Sequence, residues 1–218
     1  THFLHVDVVG LPEALLPTIT LCADVIREPN ITSEHLKSAK LLVSQGRRSV
    51  EDDPGELARD HLRRLHAPAP FDRSDYGREE VVAAANLESM HQDWSEWSRC
   101  KGGRFVVAGD VDADRVEEHL RRECGQLEWT NRTLAPLEID QPKKSEQKFV
   151  ERPLSQVHLV WAWSAPTLHD PHRPVWQVLS RVLGASGSGR LFQDVRQRRS
   201  LCYAVGGGWA PNDEFGRF

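Results

Sequence analysis

The sequence predicts an α+β protein in which helices pack against a mixed or antiparallel sheet. Its 218 residues are 39% hydrophobic and 28% charged, which is ordinary for a globular protein with a buried core. Segments with apolar residues at helical spacing alternate with short apolar segments rich in valine and aromatic residues. This order of elements is typical of layered α+β domains.

Eight segments carry the helical pattern, in which apolar side chains recur every three or four residues. Turn-forming residues separate them, such as Pro29 after the first helix and Pro54 after the second. Thr32 or Ser33 can cap the second helix, and Asp112 can cap the sixth. We predict helices over residues 12–26, 33–50, 55–65, 78–85, 88–98, 112–125, 173–183 and 191–199.

Short apolar segments predict the strands of the sheet. Residues 209–218 resemble the return strand of a hairpin, and the polar, proline-containing stretch around 141–150 indicates a linker. The predicted strands are residues 3–9, 104–110, 156–163 and 201–205.

Charge, hydropathy and cysteine spacing exclude several classes of protein. The net charge is −4 and the lysines and arginines are scattered, so no nucleic-acid partner is expected. No apolar run approaches the roughly 18 residues of a membrane span. The four cysteines form no C-x-x-C pair, which indicates reduced thiols in a cytoplasmic protein. Because the chain opens on Thr1, we expect a piece of something longer.

Residues 183–205 carry the most informative pattern. A loop of small residues leads into a short predicted helix and then into an apolar strand, with Arg196 on the helix and Tyr203 seven residues later on the strand. The loop lacks the G-K-[ST] ending of a phosphate-binding loop, which argues against phosphate binding. Its residues are Ser186, Gly187, Ser188 and Gly189.

This segment resembles the start of the second domain of the pitrilysin/insulinase-type (M16) zinc metallopeptidases. The strand V-V-A-G-D at 106–110, followed by a helix and then by Gly125 and Trp129, also resembles the M16 pattern. The resemblance implies an M16-like α+β fold. It divides the chain into the later part of a first domain, a linker and the early part of a second domain, at residues 1–140, 141–150 and 151–218.

The resemblance also implies roles for individual residues. An Arg and a Tyr at this spacing reach into the substrate chamber of M16 enzymes, which makes Arg196 and Tyr203 candidate substrate-binding residues. The loop 186–189 corresponds to a lid or hinge beside the chamber. Plainer alternatives stay open: Arg196 is one of several helix arginines, Tyr203 lies at a strand edge, and the loop is a turn with an N-cap.

The zinc motif of that family, H-x-x-E-H on a helix, is absent. The family's downstream ligand, a glutamate, aligns with Gly46 when counted back from the D-D-P turn, and a second acid aligns with Ala39. We therefore expect no metal and no cofactor in this chain, with zinc held by a partner or a missing segment. Two histidine pairs at other spacings are expected at the surface: His61 with His66, and His169 with His172.

Two functions of different class follow from these observations. In the first, the chain is a non-zinc-binding subunit or segment of an M16-type zinc metallopeptidase. It is inactive alone, pairs with a zinc-bearing M16 chain as a heterodimer, and helps to enclose and orient oligopeptides for hydrolysis. In the second, it is a catalytically inert scaffold of the same fold. A third possibility is a truncated chain that does not fold stably by itself.

Overall fold

The computed structural model describes residues 5–98, 103–125, 127, 139, 145–185 and 187–218. The chain divides into two units, each assembled from two separate stretches of sequence. The second helix, Ser33–Asp52, runs from the first unit into the second. The first unit comprises Thr1–Ser44 and Arg78–Ala135, and the second comprises Gln45–Gly77 and Pro136–Phe218.

Each predicted helix is present, with ends that differ by a few residues. A 3₁₀ turn, Pro12–Ala14, leads into the first α-helix. The segment predicted as a helix at 191–199 is a π-helix, Phe192–Arg198. The α-helices are α1 Leu15–Arg27, α2 Ser33–Asp52, α3 Pro54–His66, α4 Glu79–Ala84, α5 Leu87–Trp97, α6 Ala113–Cys124 and α7 Arg173–Gly184.

Side-chain caps fix where several of these helices begin. Asn86 accepts a hydrogen bond from the Ser89 N–H, and the Ser89 hydroxyl accepts one from the Asn86 N–H, which forms a reciprocal cap ahead of α5. The Asp53 carboxylate accepts from two N–H groups in the first turn of α3, at 2.8 and 2.9 Å. Asp112 caps α6 as the sequence predicts, at 3.2 Å from the Arg115 nitrogen.

The core of the first unit forms where α1 packs against α6. Ile19 and Ala23 on α1 and Val116 on α6 are buried. Beside them, the Thr20 hydroxyl lies 2.9 Å from a ring nitrogen of His119, so the contact between the helices includes a polar pair as well. Ile19 is buried at this contact, whereas Leu21 and Val25 are exposed, so only part of the apolar pattern of α1 faces α6.

A small antiparallel sheet lies in the second unit, in the order β1-β3-β2. Backbone hydrogen bonds of 3.2 and 3.0 Å join Trp163 to Phe218 beside the β1–β3 pair, and their rings stack with centroids 5.0 Å apart. The Phe71 ring lies 5.1 Å from that of buried Phe215. The predicted hairpin near the end of the chain is therefore present. The strands are β1 Ser164–Ala165, β2 Ala210–Pro211 and β3 Gly216–Arg217.

Four segments predicted as strands carry no strand where the structure describes them. A strand requires a neighbour that shares its backbone hydrogen bonds, and apolar composition does not supply one. Apart from the backbone pair that Trp163 forms with Phe218, these segments join no ladder within the described ranges, and many of their apolar side chains stay in solvent, including Val9 at 94% exposure, Val106 at 89% and Val157 at 95%. The described parts of these segments are 5–9, 104–110, 156–163 and 201–205.

The expectation that His66 lies at the surface is wrong. Both of its ring nitrogens are buried, without a hydrogen-bond partner among the described residues. Burial, together with the positive charge of Arg217, lowers the pKa of His66 below its ordinary value of 6.5. Arg217 belongs to β3, far along the chain from α3, so this environment arises from a tertiary contact that histidine spacing could not reveal.

We predict that the chain loses stability as the pH falls below about 6.5 and that His66→Leu reduces this loss. A histidine whose folded-state pKa is lowered binds its proton more readily in the unfolded chain, so its contribution is present above the unfolded pKa and disappears as the pH drops. Thermal unfolding at about pH 7.5 and about pH 5.5 measures the difference.

The matched control for this substitution is His172→Leu, which changes an exposed histidine. It is expected to leave the pH dependence of the native chain in place. Because the pKa of His61 is also lowered, chiefly by burial, His66→Leu reduces the acid sensitivity without abolishing it. An equal pH dependence in the native chain and in His66→Leu would contradict this account of the buried ring.

Candidate functional site

The structure brings Arg196 and Tyr203, which the sequence pairs by their seven-residue spacing, into contact. The Arg196 guanidinium carbon lies 5.1 Å from the centre of the Tyr203 ring. It also lies 4.8 Å from the centre of the Phe192 ring. Both distances fall within the range of cation–π contacts, so two aromatic rings hold one cation.

Local backbone geometry produces this contact. Arg196 and Phe192 lie four residues apart in the π-helix, a rare helical form that is frequent at functional sites. After the helix, Ser200 takes a positive φ of 52° and its N–H donates to the Arg196 carbonyl at 3.1 Å. This turn reverses the chain, and the segment that follows returns Tyr203 to the arginine.

The sequence pattern did not single out Phe192. The signal that could have revealed it is the four-residue spacing from Arg196, which places two side chains side by side on an ordinary α-helix. Spacing cannot show that Arg196 would turn toward both rings, because that depends on the turn at Ser200.

The three side chains leave donors available at an accessible surface. Tyr203 is 85% exposed, and Arg196 is half-buried. A cation–π contact leaves the guanidinium N–H groups able to bind a carbonyl or carboxylate oxygen. The arrangement can therefore present an arginine of fixed orientation and a phenol hydroxyl to the same polar ligand.

The small-residue loop before the π-helix uses its glycines in different ways. Ser186 lies outside the described residues, and Ser188 is exposed. Gly187 takes a φ of 81°, which side-chain-bearing residues rarely adopt, and its carbonyl accepts a hydrogen bond from Gln193 in the π-helix. Gly189 is buried, and its N–H donates to the Ala185 carbonyl at 2.8 Å.

The glycine-rich stretch after Tyr203 allows two parts of the backbone to approach closely. A side chain at Gly184, the last residue of α7, would lie 2.9 Å from the Gly207 nitrogen and overlap its carbonyl. Trp209, two residues after Gly207, donates through its backbone N–H to the Ser180 hydroxyl at 2.8 Å. The glycines near Tyr203 therefore accommodate the end of α7.

The resemblance places the family's third zinc ligand near Gly46, and the side chain of a different residue fills the space beside this glycine. Gly46 lies on α2, and a Cβ atom there would overlap Cε1 of Tyr76 and lie 2.7 Å from its Cζ. The tyrosine ring fills the volume that an acidic side chain would need. Gly46 and Ala39 also offer no ligand atom, so the residues at these two positions do not fit a zinc site.

The histidines do not form an alternative metal centre. His169 pairs with Asp213 at 3.0 Å and His172 with Asp170 at 3.2 Å. Within the described part of the chain, no group of three or more His, Cys, Asp or Glu side chains could hold a metal ion. The same described residues contain no helix that combines the length and the apolar character needed to cross a bilayer.

Comparison with known proteins identifies the family. The model of the peptidase M16 inactive domain matches residues 85–218. This chain belongs to that family. It is 26% identical over 213 residues to a Mycobacterium leprae protein named an uncharacterized zinc protease, covering 94% of this chain and 46% of the relative. A similarly named Bacillus subtilis protein is 25% identical over 191 residues, covering 86% and 45%.

Solved structures show the same fold for this M16 chain. A Helicobacter pylori protease superposes with a TM-score of 0.75 at 16% identity, covering 94% of this chain and 51% of that one. The M16 inactive domain from Pseudomonas fluorescens gives a TM-score of 0.69 at 22% identity, covering 94% and 50%. The chain thus spans about half the length of the curated relatives that it matches.

We predict that the effect of Gly46→Ala reverses sign with the residue at position 76. With Tyr76 present, the new methyl group overlaps the ring and lowers the free energy of unfolding by about 1–3 kcal/mol. With Tyr76→Ala in the background, the overlap is gone. Gly46→Ala then raises the free energy of unfolding by up to about 1 kcal/mol, because alanine favours a helix interior over glycine.

Denaturant unfolding of the four chains in this double-mutant cycle measures the coupling. Ser44→Ala, an exposed site on the same helix, serves as the control for general effects on helix propensity. Equal effects of Gly46→Ala in both backgrounds would show that the Tyr76 ring does not occupy this position.

Proposed function

We propose that this chain is a non-zinc-binding subunit or segment of an M16-type zinc metallopeptidase that helps to enclose and orient oligopeptide substrates for hydrolysis. The observation that carries the proposal is the convergence of Arg196 and Tyr203 at an exposed surface, with the arginine stacked on Phe192. A fixed guanidinium beside a phenol hydroxyl suits a peptide, whose carbonyl oxygens accept hydrogen bonds in a regular array.

Each residue has a separate role in this proposal. The Arg196 N–H groups bind a peptide carbonyl or the C-terminal carboxylate and set the register of the chain. The Tyr203 hydroxyl donates to the oxygen that becomes negative during attack on the scissile carbonyl. Phe192 is a positioning residue, because its contact is with the arginine. Loop residues 186–189 act as a hinge beside the bound peptide.

The zinc and the general base come from elsewhere in this proposal. The lost ligand at Gly46 and the Tyr76 ring that covers it support this division, as do the relatives named as zinc proteases. We infer that a zinc-bearing M16 chain pairs with this one as a heterodimer, and that residues 1–140 and 151–218 belong to two successive M16 domains. The free thiols of Cys22, Cys124 and Cys202 support a reducing, cytoplasmic location.

A structural scaffold is the second candidate function. The observation that favours it is the amount of exposed apolar surface, including Val106, Val157 and Trp161, which suits burial in an assembly. A scaffold requires no donor pair at an open surface, and it does not explain why one cation lies against two rings.

We predict that Tyr203→Phe lowers kcat for oligopeptide cleavage about 100-fold when the chain is reconstituted with a zinc-bearing M16 partner, with little change in KM. Phenylalanine keeps the ring that contacts Arg196 and removes only the hydroxyl. Arg196→Gln is expected to raise KM about tenfold, because a charged hydrogen bond to the substrate is lost. Cleavage of a quenched fluorescent peptide measures both.

Arg199→Gln is the matched control, because this exposed arginine directly follows the π-helix and has no part in the aromatic contact. Its activity should equal that of the native pair. If Tyr203→Phe and Arg196→Gln also retain full activity in a pair that assembles normally, the substrate role fails and the scaffold function is favoured.

A further inference from the structure

A cavity in the second unit shares no lining residue with Arg196, Phe192 and Tyr203, which together form the Arg196 cluster. It has a volume of about 240 Å³ and lies within the second unit, between the end of α2, α3 and the loop that carries Tyr76. This is smaller than the roughly 300–1,000 Å³ of sites for drug-sized ligands, so its occupant would be small. Nothing in the function proposed above uses it.

The cavity wall carries equal numbers of basic and acidic side chains, and two further cations lie against it. The Lys148 ammonium donates to Nδ1 of His61, which lines the cavity, at 3.1 Å. The Arg152 guanidinium donates to the Glu51 carbonyl at 3.3 Å. The basic residues in or against the wall are Arg47, Arg64, Lys148 and Arg152, and the acidic ones in it are Glu51 and Asp60.

One of the two carboxylates is already shared between arginines. Asp60 pairs with Arg63 and, through its second oxygen at 2.7 Å, with Arg64. Its side chain is largely buried, whereas more than half of the Arg64 side chain is exposed. Arg64 therefore keeps donors that can reach a ligand.

The charges that act on His61 are mostly positive. Burial lowers the pKa of His61, and the charges of Lys148 and Arg64 lower it further against the opposing effect of Asp60. A neutral ring accounts for Nδ1 accepting a hydrogen bond from the lysine. An anion bound here would reduce the repulsion between these cations.

The remaining wall is apolar or carries hydroxyl groups. Val50 and Leu57 line one part, and the Tyr76 ring, held over Gly46, lines another together with Ser74. Such a surface suits a ligand that joins an anionic group to a short apolar one, whereas a fully hydrated phosphate would leave the apolar part unused.

We propose that this cavity binds a carboxylate that carries a small apolar group, recognised by Arg64 and Lys148 and packed against Val50, Leu57 and Tyr76. The carboxylate is either that of a free organic acid or the C-terminus of a peptide. The site is separate from the Arg196 cluster, so its success or failure leaves the proposed function untouched.

Isothermal titration calorimetry on the whole chain tests the proposal with N-acetyl-leucine. Binding of the acid is expected, with no detectable binding of N-acetyl-leucinamide, which has the same apolar group and no charge. Arg64→Gln and Lys148→Gln should each weaken binding about tenfold. Arg173→Gln, an exposed arginine at the start of α7 away from the cavity, should leave the affinity unchanged.

Two further ligands separate the sources of the carboxylate. Acetyl-Ala-Ala-Leu with a free C-terminus should bind as tightly as N-acetyl-leucine if peptide termini enter, and should fail to bind if only small acids fit. The proposal is overturned if the acid and the amide bind equally or neither binds, if inorganic phosphate binds more tightly than the acid, or if both glutamine variants keep native affinity. Far-ultraviolet circular dichroism confirms that each variant is folded.

Discussion

The contact between the Arg196 guanidinium and two aromatic rings is the interaction on which the functional interpretation depends. Without this contact, Arg196 would be one of several arginines on a short helix, and its side chain would adopt many conformations. Contact with Phe192 and with Tyr203 restricts that freedom before any ligand arrives, which lowers the entropic cost of binding. The contact also keeps the tyrosine hydroxyl near the arginine, so that one polar ligand can reach both.

The position expected to hold a zinc ligand and the candidate donor pair lie in separate segments of the chain. Gly46 on α2 lets the Tyr76 ring fill the space where the resemblance places a zinc ligand. Both residues are remote in sequence from the π-helix. The proposed function accordingly assigns chemistry and substrate positioning to different parts of an assembly.

Local signals predicted the helices well, because periodicity, caps such as Asp112 and the breaks at Pro29 and Pro54 act within a few residues. The prediction of strands at 104–110 and 156–163 was wrong, because a ladder depends on partners that composition does not specify. At the candidate site, the sequence predicted an arginine and a tyrosine at a given spacing, and their role in binding substrate stays a prediction. The contact itself, and Phe192 within it, required the turn at Ser200.

The most direct measurement is a nuclear magnetic resonance titration of the zinc-free chain with an oligopeptide, observing the Arg196 side-chain Nε–H signal. The two stacked rings should shift this signal from the position of an ordinary arginine before any peptide is added. Addition of peptide should shift it further, without zinc. An Arg196 signal at the ordinary position, or one that peptide leaves unchanged while other residues respond, would contradict the account.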